Sequence, residues 1–151
     1  MTPAERFAVS LPSEAIRIAL DDLARVEADD RYGIDMYQWH KPTDGGCVVC
    51  LAGAVMATSL GAPVRDFLVP GDFANRQIKD RLIALDYIRG GLLSSAMGMF
   101  ADINATGPHD WGTAMYITNQ CSVFVPEYED DPVAWRTALV AVADYLAANG
   151  L

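Results

Sequence analysis

The chain runs to 151 residues, enough to bury a hydrophobic core in one domain spanning residues 1–151 without disulfide or metal staples. Hydrophobic residues make up 52% and charged residues 21%, and a mean hydropathy of +0.14 argues against both a disordered polymer and a membrane protein. Lys and Arg total 11 against 20 Asp and Glu, a formal charge of -9 that repels phosphate backbones and anionic lipid, so neither direct nucleic-acid binding nor membrane association is expected.

Met1 to Ser13 carries Glu5 and Arg6 and lacks a continuous apolar stretch, so no secretory signal is read there and the cytoplasm is the expected compartment. From Ser13 onward Ile16, Leu20, Leu23 and Val26 recur at helical spacing, with Asp21, Asp22, Arg25 and Glu27 between them and Pro12 suited to the first turn. An amphipathic helix follows from that pattern. The segment Ile34 to His40, with Met36, Tyr37 and Trp39, has β-leaning composition and is expected to be a short strand or an extended loop.

Pro42 to Gly46 has turn chemistry, and the run Cys47 to Ala57 is apolar on every side, which predicts a buried central helix ended by Gly61 and Pro63. The uncharged stretch Gly45 to Val64 has the length of a membrane span, but its strongly apolar part is too short to cross a bilayer. After the Pro70-Gly71-Asp72 turn, Ile78, Leu82 and Leu85, with Ile88 or Arg89, mark a second amphipathic helix ended at Gly90-Gly91, with a short continuation through Leu93, Met97 and Phe100. Asn104 to Gly112 reads as a loop carrying His109, Asp110 and Trp111, and Met115 to Val125 as one or two strands. Asp131 and Pro132 are an N-cap and a first helical position. The buried stripe Trp135, Leu139, Val142 and Leu146 follows, and Asn149-Gly150 ends the helix. The expected fold is therefore α+β, mainly α: a helical bundle around a buried central helix with a small β element.

Three cysteines, an odd number, fit free thiols in a reducing compartment. His40 with Cys47 and Cys50 could offer imidazole and thiolate ligands to zinc, completed by Cys121 or His109, although the second Cys-x-x-C of a knuckle is absent and the bland alternative is cysteines buried as small hydrophobes. A thiol in the first turn of a helix is also a candidate nucleophile, with Cys47 or Cys50 attacking, His109 as base and Asn119 or Asp102 as orienting group. The order Cys, His, Asn resembles the papain-like thiol hydrolases. That family's glutamine before the cysteine has no counterpart, since Lys41 and Asp44 stand there and Gln38 lies farther upstream. Gly45-Gly46 and Gly90-Gly91 have neither the spacing nor the lysine of a phosphate-binding loop.

The acidic residues Glu127, Glu129, Asp130 and Asp131 lack the spacing of a calcium loop and read as a solvated face. Tyr37, Trp39, Trp111 and Tyr128 stand outside the predicted helices. Together with Glu127, Glu129 and Asp130 they form the mixture of aromatic anchors and charge found at protein-binding surfaces, suited to a basic partner. The stretch His40-Lys41-Pro42 through Cys47 to Ala57 is similar to a motif in small uncharacterised proteins of bacteriophages and prophages. The resemblance implies an accessory protein without assigned catalytic residues. By analogy of size and charge with small acidic phage proteins, it also implies one that inhibits host machinery by binding it. The leading expectation is thus a non-catalytic acidic protein-binding module without a cofactor, directed at a host nucleic-acid-binding or defence complex. The alternatives are a cysteine hydrolase and a zinc-stabilised interaction module.

Overall fold

Thr2, Pro3 and Glu5 open the chain on a reciprocal cap: the Glu5 amide donates to Thr2 Oγ1 (3.1 Å) and the Thr2 amide to Glu5 Oε2 (2.7 Å). The computed structural model, which describes residues 1–90 and 125–151, places helix α1 at Pro3–Ala8 behind that cap. Helix α2, Pro12–Glu27, starts on a proline as expected and buries Ile16, Leu20, Leu23 and Val26. It also buries Asp22, read from the sequence as part of the polar face. Asp22 falls one turn on from Ala19 and two from Ala15 on a second line of buried side chains, and its carboxylate is kept there by Ser59 and Arg25.

Strands β1 (Tyr32–Ile34), β2 (His40–Thr43) and β3 (Gly46–Val49) form one sheet in the order β1-β3-β2. β3 runs parallel to β1, with Tyr32 opposite Cys47, and antiparallel to β2, with His40 opposite Val49. β2 and β3 are joined through Asp44 and Gly45, and Pro42 sits on the outer strand, where a missing N–H is tolerated. The run expected to be one central helix from Cys47 is therefore divided. Its first part is strand β3, and only Leu51–Ala57 forms a helix, α3. The physical reason is that Val48 and Val49 are β-branched and follow an Asp-Gly turn, and a strand buried on both faces is as apolar on every side as a buried helix. Segment Ile34 to His40 is likewise split between the end of β1, a turn and the start of β2.

Leu51 to Met56 are all buried, and both α2 and helix α4 (Arg76–Gly90) pack on α3. Gly53 makes the tight approach possible: a Cβ there would stand 1.6 Å from the Trp39 carbonyl oxygen. Beyond α3 the chain reverses at Gly61, whose φ of 68° is the left-handed value expected of the stop. A 3-10 turn at Pro70–Asp72 leads into α4, whose first amides, Gln77 and Ile78, donate to Asn75 Oδ1 (2.9 and 3.2 Å). Ile78, Leu82 and Leu85 enter the core, and buried Arg81 ties α4 to the α1–α2 corner by donating to the Ser10 carbonyl (3.3 Å).

Helix α5, Pro132–Ala148, matches its expected limits: Asp131 Oδ1 caps the Ala134 amide (3.0 Å), and Trp135, Leu139, Val142 and Leu146 face inward against α2. Each such side chain contributes about 2 kcal/mol by leaving water. The molecule is thus mainly helical with a small mixed sheet. Among the described residues no helix is long and apolar enough to cross a membrane. The expected helix continuation through Leu93, Met97 and Phe100, the loop Asn104 to Gly112, and the strands beginning at Met115 lie outside the described residues; Val125, within them, is not in a strand.

Candidate functional site

The turn between β1 and β2 is built by Asp35, whose Oδ1 accepts from the Tyr37 amide (3.0 Å) and whose carbonyl accepts from the Gln38 amide (3.1 Å). It lifts Tyr37 off the sheet. Tyr37 is 67% exposed, and its hydroxyl donates to Glu127 Oε2 (3.2 Å), on the segment leading into α5. Next to Glu127, Tyr128 turns inward and stands edge-on against Trp135, with ring centroids 5.2 Å apart. Its hydroxyl donates to Glu27 Oε1 (2.5 Å) at the end of α2. Glu27 also accepts from Arg136 Nη2 on α5 (2.9 and 3.0 Å). Burial, followed by the hydrogen bond to Glu27, pushes the Tyr128 hydroxyl up to about 12.

Tyr37, Glu127 and Tyr128 are thereby brought together, flanked by exposed Glu129 and Asp130. Trp39, expected among the exposed anchors, instead lies half-buried against the core, because its carbonyl closes over Gly53 and accepts from the Cys50 amide (3.4 Å). Trp111 lies outside the described residues.

A second cluster joins His40 and Cys47. Both side chains are buried, and Cys47 Sγ stands 3.5 Å from His40 Nδ1. The same nitrogen lies 2.6 Å from the Asp66 carbonyl oxygen, which can only accept, so Nδ1 carries the ring proton. Cys47 consequently faces an N–H and not a lone pair, and the imidazole cannot take its proton there. His40 Nε2, the bare nitrogen, is buried without a partner among the described residues. Burial pushes the Cys47 thiol up to about 11, the opposite of what a nucleophile requires. Nor does Cys47 open a helix, since it belongs to β3. Cys50 does: it is the N-cap of α3, its Sγ accepting from the Gly53 amide (3.4 Å).

Cys47 and Cys50 are both buried, and neither is in a disulfide. His109, Asn119, Asp102 and Cys121, the residues with which they were expected to cooperate, lie outside the described residues. No group of three or more His, Cys, Asp or Glu placed to hold a metal ion is found among the described residues, so His40, Cys47 and Cys50 do not form a ligand cluster there. Comparison of the chain with protein-family models, with curated proteins and with solved structures finds no match.

Proposed function

We propose that the protein is a non-catalytic binding module that uses the surface around Tyr37, Glu127, Tyr128, Glu129 and Asp130 to engage a partner protein with a basic face. The single observation that carries this reading is the exposed Tyr37 ring held by Glu127, a residue 90 positions away in the chain. An oriented aromatic beside exposed carboxylates is the composition of an interface anchor, and a ring already fixed in place loses little entropy on binding. The acidic surface would stand in for the phosphate backbone on a nucleic-acid-binding or defence complex of a bacterial host, with the protein acting in the cytoplasm as a phage-encoded inhibitor. That setting is taken from the motif resemblance read in the sequence over His40 to Ala57.

The test is affinity purification of the tagged chain from a bacterial host, beside a Tyr37→Ala variant and a Glu129→Lys/Asp130→Lys variant, with the recovered partner quantified by mass spectrometry. One host protein enriched by the parent chain and reduced about tenfold or more by each variant is expected, together with loss of that partner's nucleic-acid binding when the parent chain is added. A partner retained equally by both variants would overturn the assignment of the surface. A partner whose nucleic-acid binding is untouched would overturn the inhibitory role.

A further inference from the structure

A separate cavity of about 380 Å³ lies between α1, α2 and the residues that follow α3. Part of its wall is Asp22, fully buried, whose Oδ2 accepts from Ser59 Oγ (2.5 Å) and whose Oδ1 accepts from Arg25 Nη1 (2.8 Å). Burial raises the Asp22 carboxyl above its ordinary value, while Ser59 and Arg25 oppose that shift. Arg6, in the last turn of α1, and Asp21, on α2, line the same cavity. Both are exposed, and among the described residues neither forms an ion pair or a side-chain hydrogen bond, with each other or with any other group.

The side chains lining the cavity therefore carry one internally matched pair, Asp22 with Arg25, and one unmatched pair of opposite charges, Arg6 and Asp21. These four side-chain charges cancel. A simple anion attracted to Arg6 meets Asp21 and Asp22, and a simple cation attracted to Asp21 meets Arg6 and Arg25. A molecule bearing both signs satisfies the two unmatched groups at once, and the volume falls at the small end of ligand sites.

We propose that this cavity binds a small zwitterion of the α-amino acid class, its carboxylate on the Arg6 guanidinium and its ammonium on Asp21. The planar guanidinium suits a carboxylate by two parallel N–H donors, and Asp21 accepts from the ammonium. Asp22, fully buried and fixed by Ser59 and Arg25, backs the cavity wall without reaching the ligand.

The experiment is a thermal-shift screen of the twenty common α-amino acids, followed by calorimetric titration of any that raises the melting temperature saturably. The same titration is repeated with its N-acetyl and carboxamide derivatives, and with the Arg6→Ala and Asp21→Asn chains. Both substitutions are at exposed positions, so the folded state is retained, and circular dichroism checks this. At least one amino acid is expected to bind, and each derivative and each variant is expected to weaken that binding about tenfold or more. The proposal is overturned if no amino acid shifts the melting temperature. It is equally overturned if the N-acetyl derivative binds as well as its parent and Asp21→Asn has no effect, which would make the cavity an anion site, or if Arg6→Ala binds unchanged.

Discussion

Cys47 and His40 show how two residues with the composition of a catalytic dyad can be arranged against catalysis. Their 3.5 Å separation is that of a working pair, but the Asp66 carbonyl claims the proton-bearing nitrogen for itself. With its thiol pushed up to about 11, Cys47 is expected to resist iodoacetamide at pH 8 in the native protein and to react readily in urea. Peptide mass mapping of the two samples checks this, and rapid native labelling of Cys47 would contradict the geometry described. The same shift has a consequence for stability. The folded state holds the Cys47 proton more tightly than the unfolded chain, so the associated stabilisation is present below pH 9 and is lost as pH rises from 9 to about 11; Tyr128, raised from 10 to about 12, acts in the same direction at still higher pH. Urea midpoints should fall progressively above pH 9, and Tyr128→Phe should remove part of the fall above pH 10. None of this was legible beforehand, because the two residues meet only through the β2–β3 pairing and the ring proton is set by a loop 26 residues downstream.

At the level of elements, the signals that could be read were the local ones. Asp131, Pro132 and the stripe from Trp135 to Leu146 specify α5 because a cap, a first turn and a helical period all lie within a few residues of one another. The division of the run from Cys47 into β3 and α3 needed the sheet to decide it, and the Asp44-Gly45 turn was the available clue. Helix α1 was missed although Thr2, Pro3 and Glu5 are a capping signature. A pair of substitutions separates local from long-range determinants. Asp131→Ala removes one cap and should cost about 1 kcal/mol, whereas Gly53→Ala drives a Cβ into the Trp39 carbonyl and should cost about 3 kcal/mol, because backbone on either side must move. Urea denaturation of both variants gives the comparison, and similar costs for the two would mean that the bend at Trp39, ahead of β2, can yield to α3 without disturbing the strand pairing.

The charge of -9 belongs to the molecule as a whole, and it sets how a basic partner would be met. Association should slow markedly as ionic strength is raised from low to physiological, with little change in the dissociation rate, because the long-range field steers encounter while the anchors set residence. Surface plasmon resonance at two salt concentrations measures both rates; an association rate indifferent to salt would show that charge plays no part in recognition. The individual aromatic and acidic residues of the surface could be picked out in the chain, but not their assembly, since Tyr37 lies in the turn between β1 and β2 and Glu127 on the approach to α5. That contact also makes the proposed surface a discontinuous epitope. A synthetic peptide carrying Glu127 to Asp131 would bring the charges without the ring. Because Glu127 leads into α5, which packs on α2, release of α5 would part Glu127 from Tyr37 and dissolve the proposed surface.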